Sequence, residues 1–480
     1  MDVLIDRETE RRSLRSLLDR PGAQLALITG RRRVGKSYLL ARTWPAEHTF
    51  HFTATRTTPE QNRRQLLLDL AAWTGEQLEP TDYPSWRAVF DLLWRTRPDE
   101  PLVIVIDEFQ YSATTEAGLA EVASALNATL ERVSVQRPFV VVLCGSAVST
   151  MEGLATGGAP LYGRLATHLV FEPMRAYDVA TFVPSWSARE CAAGFGALGG
   201  TPAYWALVDP ERGLRMNLAE LVLSPYGRVR LQLETILDQE QGLGDVTAYR
   251  GVMGAVASGA TTRPRIADAT GLKPDQSLVR RLDTLIALGL LEAMPNYDAP
   301  RNAPVRYRIS DPALRFFHAM VLPNTSLLER VDALDVFDQV IAPRFDTFLG
   351  QAFERLVEPT FERLRVSRDL PMVQVWSCWE GRDRTGRGIE LDVVAPLTSD
   401  GVMTGSVKWN REPLGPQVFH DHLRAVSRVA DAGVRWAHAA LGGPMLFLAA
   451  GGFDARFVAA AEAHPNQVFT WSLEDVYADA

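Results

Sequence analysis

The chain has 480 residues, and single cores rarely grow beyond ~250, so several folded domains are expected. With 46% apolar and 22% charged residues, a largely disordered chain is excluded. Fifty basic against 58 acidic side chains leave a formal charge of −8, which excludes a generic polyanion coat and restricts any nucleic-acid contact to a local basic patch.

The N-terminus, MDVLIDRETERR, is charged from its second residue, so no signal peptide is expected. In the first 174 residues, Leu25–Thr29, Thr49–Thr53, Leu102–Ile106, Phe139–Cys144 and His168–Phe171 read as strands. They are nearly all apolar, the pattern of strands buried on both faces of a parallel sheet. Helical spacing between them, as in Gln61–Trp73, gives the rhythm of a doubly wound α/β domain. The longest apolar runs, 102–106 and 139–144, fall far short of the ~20 residues of a membrane helix, so a soluble, cytoplasmic protein without membrane contact is expected. Cys144, Cys191 and Cys378 stand far apart without CxxC spacing; this excludes a disulfide framework and a zinc ribbon, and fits a reducing cytoplasm.

From 175 to 245 the strand signal stops, and helical patterns (178–182, 188–198, 202–208, 231–240) suggest a lid or bridge. Residues 246–316 show three helical segments (249–257, 263–269, 276–288), then two apolar runs (290–294, 305–309) joined by the polar loop 296–304. That order predicts a winged helix with a flexible tip. Residues 317–345 read as a connector. The last unit, 346–480, mixes a helix near 353–361, strands at 372–378, 389–395, 402–409, 445–449 and 467–470, and helices at 417–432 and 454–464.

Gly30-Arg31-Arg32-Arg33-Val34-Gly35-Lys36-Ser37 matches G-x-x-x-x-G-K-[ST] between an expected strand and an expected helix, the context that a phosphate-binding Walker A loop requires. The two glycines let successive amides converge on phosphate, and the helix dipole adds to them. Lys36 would reach the β- and γ-phosphates of ATP and Ser37 would ligate Mg²⁺. The stretch from Gly30 to Tyr38 is the expected nucleotide contact. Arg31, Arg32 and Arg33 could face solvent, nucleotide or a neighbouring subunit. Asp107, at the end of a buried strand, is the expected Mg²⁺ partner, and Glu108 the base for the attacking water. Ser146, after the next strand, is placed to sense the γ-phosphate or to act as a simple cap. Arg164 offers a cation for the transition state, in cis or to a neighbour in a homo-oligomer, or is merely solvated.

Ile5-Asp6-Arg7-Glu8, GRRRVGKS, VIDEFQY (105–111), LCGSA (143–147), PLYGR (160–164) and GGTPAY (199–204) together resemble the archaeal-type ATPase family of STAND-like, AAA-like P-loop proteins. The resemblance continues through YRISDP (307–312), LGQAFERL (349–356) and the block from 390 to 409. It implies an α/β, multi-domain chain: a P-loop ATPase domain with helical lid, a winged helix and a C-terminal restriction-endonuclease-like domain. It also implies that Pro202, in a glycine-x-proline motif, lies near the adenine. Asp6 stands where the family more often has glycine.

Between 248 and 316, ten basic residues oppose six acidic ones. Lys273, Arg280 and Arg281 fall at the start of the expected recognition helix, and Arg301 and Arg306 in or beside the wing, positions suited to DNA. The alternative is a rigid connector or protein-binding module. In the last unit, Glu354, Asp392 and Lys408 follow the skeleton of restriction-endonuclease-like nucleases, in which carboxylates hold a divalent metal. Ser406 replaces the acid usually found two residues before the lysine, and Glu390 shares the strand face of Asp392. Three functions follow: an ATP-hydrolysing switch acting on or near DNA, an ATP-controlled DNA nuclease, or a nucleotide-dependent DNA-binding regulator without cleavage.

Overall fold

Five short apolar runs build the first sheet: β1 (Ala23–Thr29), β2 (Thr49–Thr53), β3 (Leu102–Asp107), β4 (Phe139–Gly145) and β5 (Thr167–Val170). All pair in parallel, in the order β2-β3-β4-β1-β5. The computed structural model describes residues 7–20, 22–132, 137–238, 243, 245–300 and 303–478. It divides at Met174/Arg175 into two compact units.

Side chains alternate between the two faces of the first sheet, so each face has its own core. Leu25, Leu27, Ile104, Ile106, Val141 and Leu143 pack against Leu66 and Leu70 of helix Pro59–Thr74 and Leu126 of helix Glu116–Arg132. Ala26, Ile28, Val103, Val105, Val140 and Val142 pack on the other side against Leu39, Leu40 and Trp44. Helix Pro59–Thr74 is bounded by local chemistry: the Thr58 hydroxyl accepts from Gln61 N–H, Pro59 supplies a preset φ, and Gly75 stops it at φ +76°. Because every strand runs the same way, their C-terminal ends form one edge, and the loops there converge.

In the second unit, helices Val246–Ala257, Arg263–Thr270 and Gln276–Ala287 precede an antiparallel hairpin of β6 (Leu291–Met294) and β7 (Arg306–Ile309), to which Thr262 adds a bridge at Arg306. Residues 317–345 are helical through much of their length, including Phe317–Val321, Ala333–Val336 and Phe337–Ile341. They are part of the core: the rings of Phe337 and Phe316 both meet that of Phe345, at 6.0 and 5.9 Å. Expected as a single helix, 353–361 is instead the end of helix Ala342–Phe353, a tight turn at Glu354–Leu356 and helix Val357–Leu364.

The second sheet holds β8 (Ser377–Arg382), β9 (Gly388–Pro396), β10 (Val402–Lys408), β11 (Met445–Ala449) and β12 (Val468–Trp471), ordered β12-β11-β10-β9-β8. Strands β8, β9 and β10 are antiparallel neighbours, while β10, β11 and β12 are parallel. The tip of the β6–β7 hairpin docks on edge strand β8. Tyr297 N–H donates to Cys378 C=O (3.0 Å), and the Asn296 amide both donates to Glu380 C=O (2.6 Å) and accepts from Glu380 N–H (3.0 Å). The tip, expected to be flexible, is thus hydrogen-bonded in place at these two residues.

Candidate active site

The phosphate loop follows β1 at the C-terminal edge of the first sheet. Gly30 has φ +147°, and a Cβ there would stand 2.4 Å from the Phe171 carbonyl oxygen, so only glycine lets the chain pass. Gly35 takes φ +97° immediately before helix Lys36–Thr43, and Arg33 takes φ +68°, unusual for a side-chain-bearing residue. Val34 is buried and anchors the loop from beneath.

Lys36 is 5% exposed, and its ammonium donates to the carbonyls of Gly30 (2.5 Å) and Arg31 (2.8 Å). Burial draws its pKa below the ordinary lysine value, against the opposing pull of Cys144, Glu108 and Asp107. A desolvated ammonium inside a turn of amides is a binding site for an anion. Ser37 Oγ donates to Asp107 Oδ2 at 2.5 Å. These two oxygens, one per motif, are hard donors of the kind Mg²⁺ takes together with phosphate oxygens.

Asp107 ends β3, nearly buried, and its other oxygen accepts from Glu108 N–H (2.9 Å). Glu108 adopts φ +52°. Its Oε2 accepts from the Ser146 hydroxyl (2.7 Å) and from the Gln110 amide, and Gln110 also donates to Ser146 Oγ (3.1 Å). Arg32 donates to the Tyr111 hydroxyl (2.5 Å), whose backbone carbonyl is held by Asn62 (2.8 Å). Gln110 and Tyr111 were not singled out by sequence reasoning, although both stand in the quoted VIDEFQY; nothing in the pattern says that they turn back toward the site. Arg31 and Arg33 are half-buried, and Tyr38 is exposed with the Arg42 guanidinium 3.7 Å above its ring. Arg7 lies over Phe171 and pairs with Glu10 (2.8 Å), whereas Ile5 and Asp6 lie outside the described residues.

Arg164 is not at this edge. Two residues on, Ala166 N–H donates to Leu25 C=O, near the start of β1, and the guanidinium pairs with Glu131 at the far end of helix Glu116–Arg132. The length of β1 separates it from the phosphate loop, so Arg164 cannot reach a phosphate held by its own chain.

In the second unit, Pro202 is the first residue of the short helix Pro202–Trp205. The preceding Gly199, at φ +66°, packs on Asp311, so the GGTPAY and YRISDP motifs meet. Asp392 Oδ2 accepts from Lys408 Nζ (3.0 Å), Ser406 Oγ (3.1 Å) and Val407 N–H (2.7 Å). Glu354, chiefly through burial and secondarily through Asp392 and Glu390, is raised to a pKa of about 7; Glu390, which is more exposed, is raised by burial first and then by Asp392 and Glu380. Among the described residues, no three His, Cys, Asp or Glu side chains are arranged to hold a metal. Lys273 and Arg280 are exposed, the latter donating to Gln276 C=O one turn back in its helix, whereas Arg281 is partly buried and 4.0 Å from Asp245. Arg306, expected to face phosphate from the wing, is turned onto the second sheet: it pairs with Glu380 (2.5 Å), lies 3.1 Å from Cys378 Sγ and 4.0 Å from Glu390. Arg301 lies outside the described residues.

A parallel sheet with one strand between the phosphate-loop strand and the acidic strand, and with Lys36, Ser37 and Asp107 converging at its edge, defines a P-loop ATPase fold. Residues 4–204 match the family of ATPase domains predominantly from Archaea, and residues 317–418 match a family of archaeal and bacterial proteins of unknown function. The stretch 4–204 is thus similar to archaeal ATPase domains over the whole of the first sheet. It is similar to an uncharacterized protein of Methanocaldococcus jannaschii, 24% identical over 426 residues that cover 85% of this chain and 88% of the relative. Among solved structures it is similar to the Walker-type ATPase of Pyrococcus abyssi (20% identity, 66% of this chain and 96% of that one, TM-score 0.47). It is also similar to the Aeropyrum pernix ORC2 protein in ADPNP–ADP complexes (14% identity, 68% and 95%, TM-score 0.45).

Proposed function

We propose that this ATPase is a molecular switch, in which nucleotide held at the edge of the first sheet sets the arrangement of the modules that follow. The observation that carries the reading is the convergence of the buried Lys36 ammonium with the Ser37–Asp107 pair. Lys36 binds the β- and γ-phosphates, the amides from Gly30 to Ser37 cradle them, and Ser37 and Asp107 hold Mg²⁺. A magnesium ion held there would supply neutralising charge for the triphosphate. Glu108 accepts the proton of the attacking water, and Ser146 reports the γ-phosphate.

We read 175–245 as the lid, 246–316 as a winged helix and 346–480 as a restriction-endonuclease-like domain. The three helices and the hairpin with its extra bridge at Thr262 support the second reading. Lys273 and Arg280, both exposed, are its DNA-contact candidates. A non-cleaving role for the last domain is favoured by Asp392, whose Oδ2 is already filled by three donors including Lys408. With the catalytic base lost and phosphate binding intact, Glu108→Gln binds ATP while losing about 10²–10⁴-fold in turnover. Lys36→Ala loses nucleotide binding itself. Equal ATPase rates for Glu108→Gln and wild type, measured by phosphate release at saturating ATP, would remove Glu108 from the role.

A further inference from the structure

The carboxylate of Glu108 is held by two neighbours, and both reach the same oxygen. The Ser146 hydroxyl donates to Oε2 at 2.7 Å, and the Gln110 amide donates to that oxygen and, at 3.1 Å, to Ser146 Oγ. A carboxylate only accepts, so the Gln110 amide must face it with nitrogen and turn its oxygen away. That oxygen, Oε1 of Gln110, is buried and has no hydrogen-bond partner. It fits only because residue 145 is glycine: a Cβ there would stand 2.5 Å from it. An unpaired buried carbonyl is a cost that a purely structural glutamine would shed by rotating its amide, and the carboxylate forbids the rotation. Gln110 is 9% exposed, so its side chain has little other room.

We infer that Gln110 is a positioning residue for the ATPase reaction: with Ser146 it pins Glu108 Oε2 and leaves Oε1 as the oxygen that accepts the proton from the attacking water. The inference rests on Glu108 acting as the base. It also assigns a purpose to the φ of +52° at Glu108, which turns the side chain toward the end of β4, where Ser146 and Gln110 meet it. Gln110 acts through the carboxylate that its amide holds.

The test uses the full chain. Gln110→Met keeps length and volume but has no donor, and Gln110→Glu keeps shape but offers acceptors only. Both should lower kcat about tenfold or more, the share of base catalysis that depends on orientation, while the Kd for ATP stays within about twofold of wild type. In a Glu108→Gln background the same changes should lower the residual rate no further, a non-additivity that a general packing defect does not produce. A wild-type kcat in Gln110→Met or Gln110→Glu, with Glu108→Gln inactive, overturns the inference and leaves the base assignment standing. An additive loss in the double variant, or a loss explained by weaker ATP binding, overturns it as well. Full turnover in Glu108→Gln instead strikes the base assignment itself. Should Gln110→Met fail to fold by circular dichroism, Gln110→Glu carries the same comparison.

Discussion

Single atoms decide several features of this chain. Gly30 is fixed by two constraints at once, a left-handed φ and the Phe171 carbonyl 2.4 Å from where a Cβ would be. Gly30→Ala must move one backbone segment off the other, at a cost of about 2–4 kcal/mol. In a unit of this size that lowers the thermal midpoint by roughly 5–10 °C, readable by calorimetry. Glu354 makes a different kind of prediction. Its pKa of about 7 lies above the ordinary 4.5, chiefly because burial penalises the charged form. The folded state therefore binds the proton more tightly than the unfolded chain. That contribution is complete below about pH 4.5 and is lost as pH rises through about 7, amounting to about 3 kcal/mol by linkage. Glu354→Gln cannot ionise, so it should match wild type near pH 4 and exceed it in stability at pH 8. Urea midpoints at the two pH values check this; equal midpoints at pH 8 mean that the surroundings do not raise the pKa of this carboxyl.

Elements were legible where burial alone made them. Strands β3 and β4 are apolar runs buried on both faces and β1 nearly so, whereas the edge strand β2 alternates buried Phe50 and Phe52 with exposed His51 and Thr53; the register leaves Asp107 and Gly145 at the functional edge, so the phosphate loop and the acidic pair could be read from sequence. Strand β8 was misread. The apolar run 372–378 attracts the assignment, yet Met372 and Val375 are 53% and 49% exposed, and the ladder runs from Ser377 to Arg382. Its register is set by the turn at Asp383–Arg387, where Asp383 N–H donates to Arg387 C=O and Gly386 takes φ +83°, and by the hairpin tip, whose Asn296 bridges Cys378 from 82 residues away in sequence. No local pattern contains that partner. Arg306 was misassigned for the same reason: a basic residue near a wing reads as solvent-facing until Glu380 is known to lie opposite. Asn296→Ala removes both side-chain bonds to Glu380 and should free the β8 edge by about 1–2 kcal/mol, roughly a tenfold faster amide exchange at 377–382. Exchange at 445–449, in strand β11 on the far side of the sheet, should not change. Unaltered rates along β8 would mean that the tip contributes nothing to its order.

At the scale of the whole molecule, a switch differs from a simple hydrolase in how nucleotide binding is distributed. The chain has two compact units, 1–174 and 175–480, and the phosphate loop belongs to the first. A ligand that binds only the native form stabilises what it binds by RT ln(1 + [L]/Kd), about 2.7 kcal/mol at a hundredfold excess over Kd. If the first unit only hydrolyses ATP, a non-hydrolysable analogue raises the melting transition of that unit alone. If nucleotide state is transmitted, part of the binding energy must appear in the second unit, because a ligand shifts an equilibrium only by its differential affinity for the two states. The expected result is that both transitions move with the triphosphate analogue, that ADP moves them by a different ratio, and that Lys36→Ala abolishes both shifts. Calorimetry of the full chain, with hydrogen exchange to assign each transition to residues below or above 174, makes the comparison. A shift confined to the first unit with either nucleotide would leave the ATPase intact and rule out the switch.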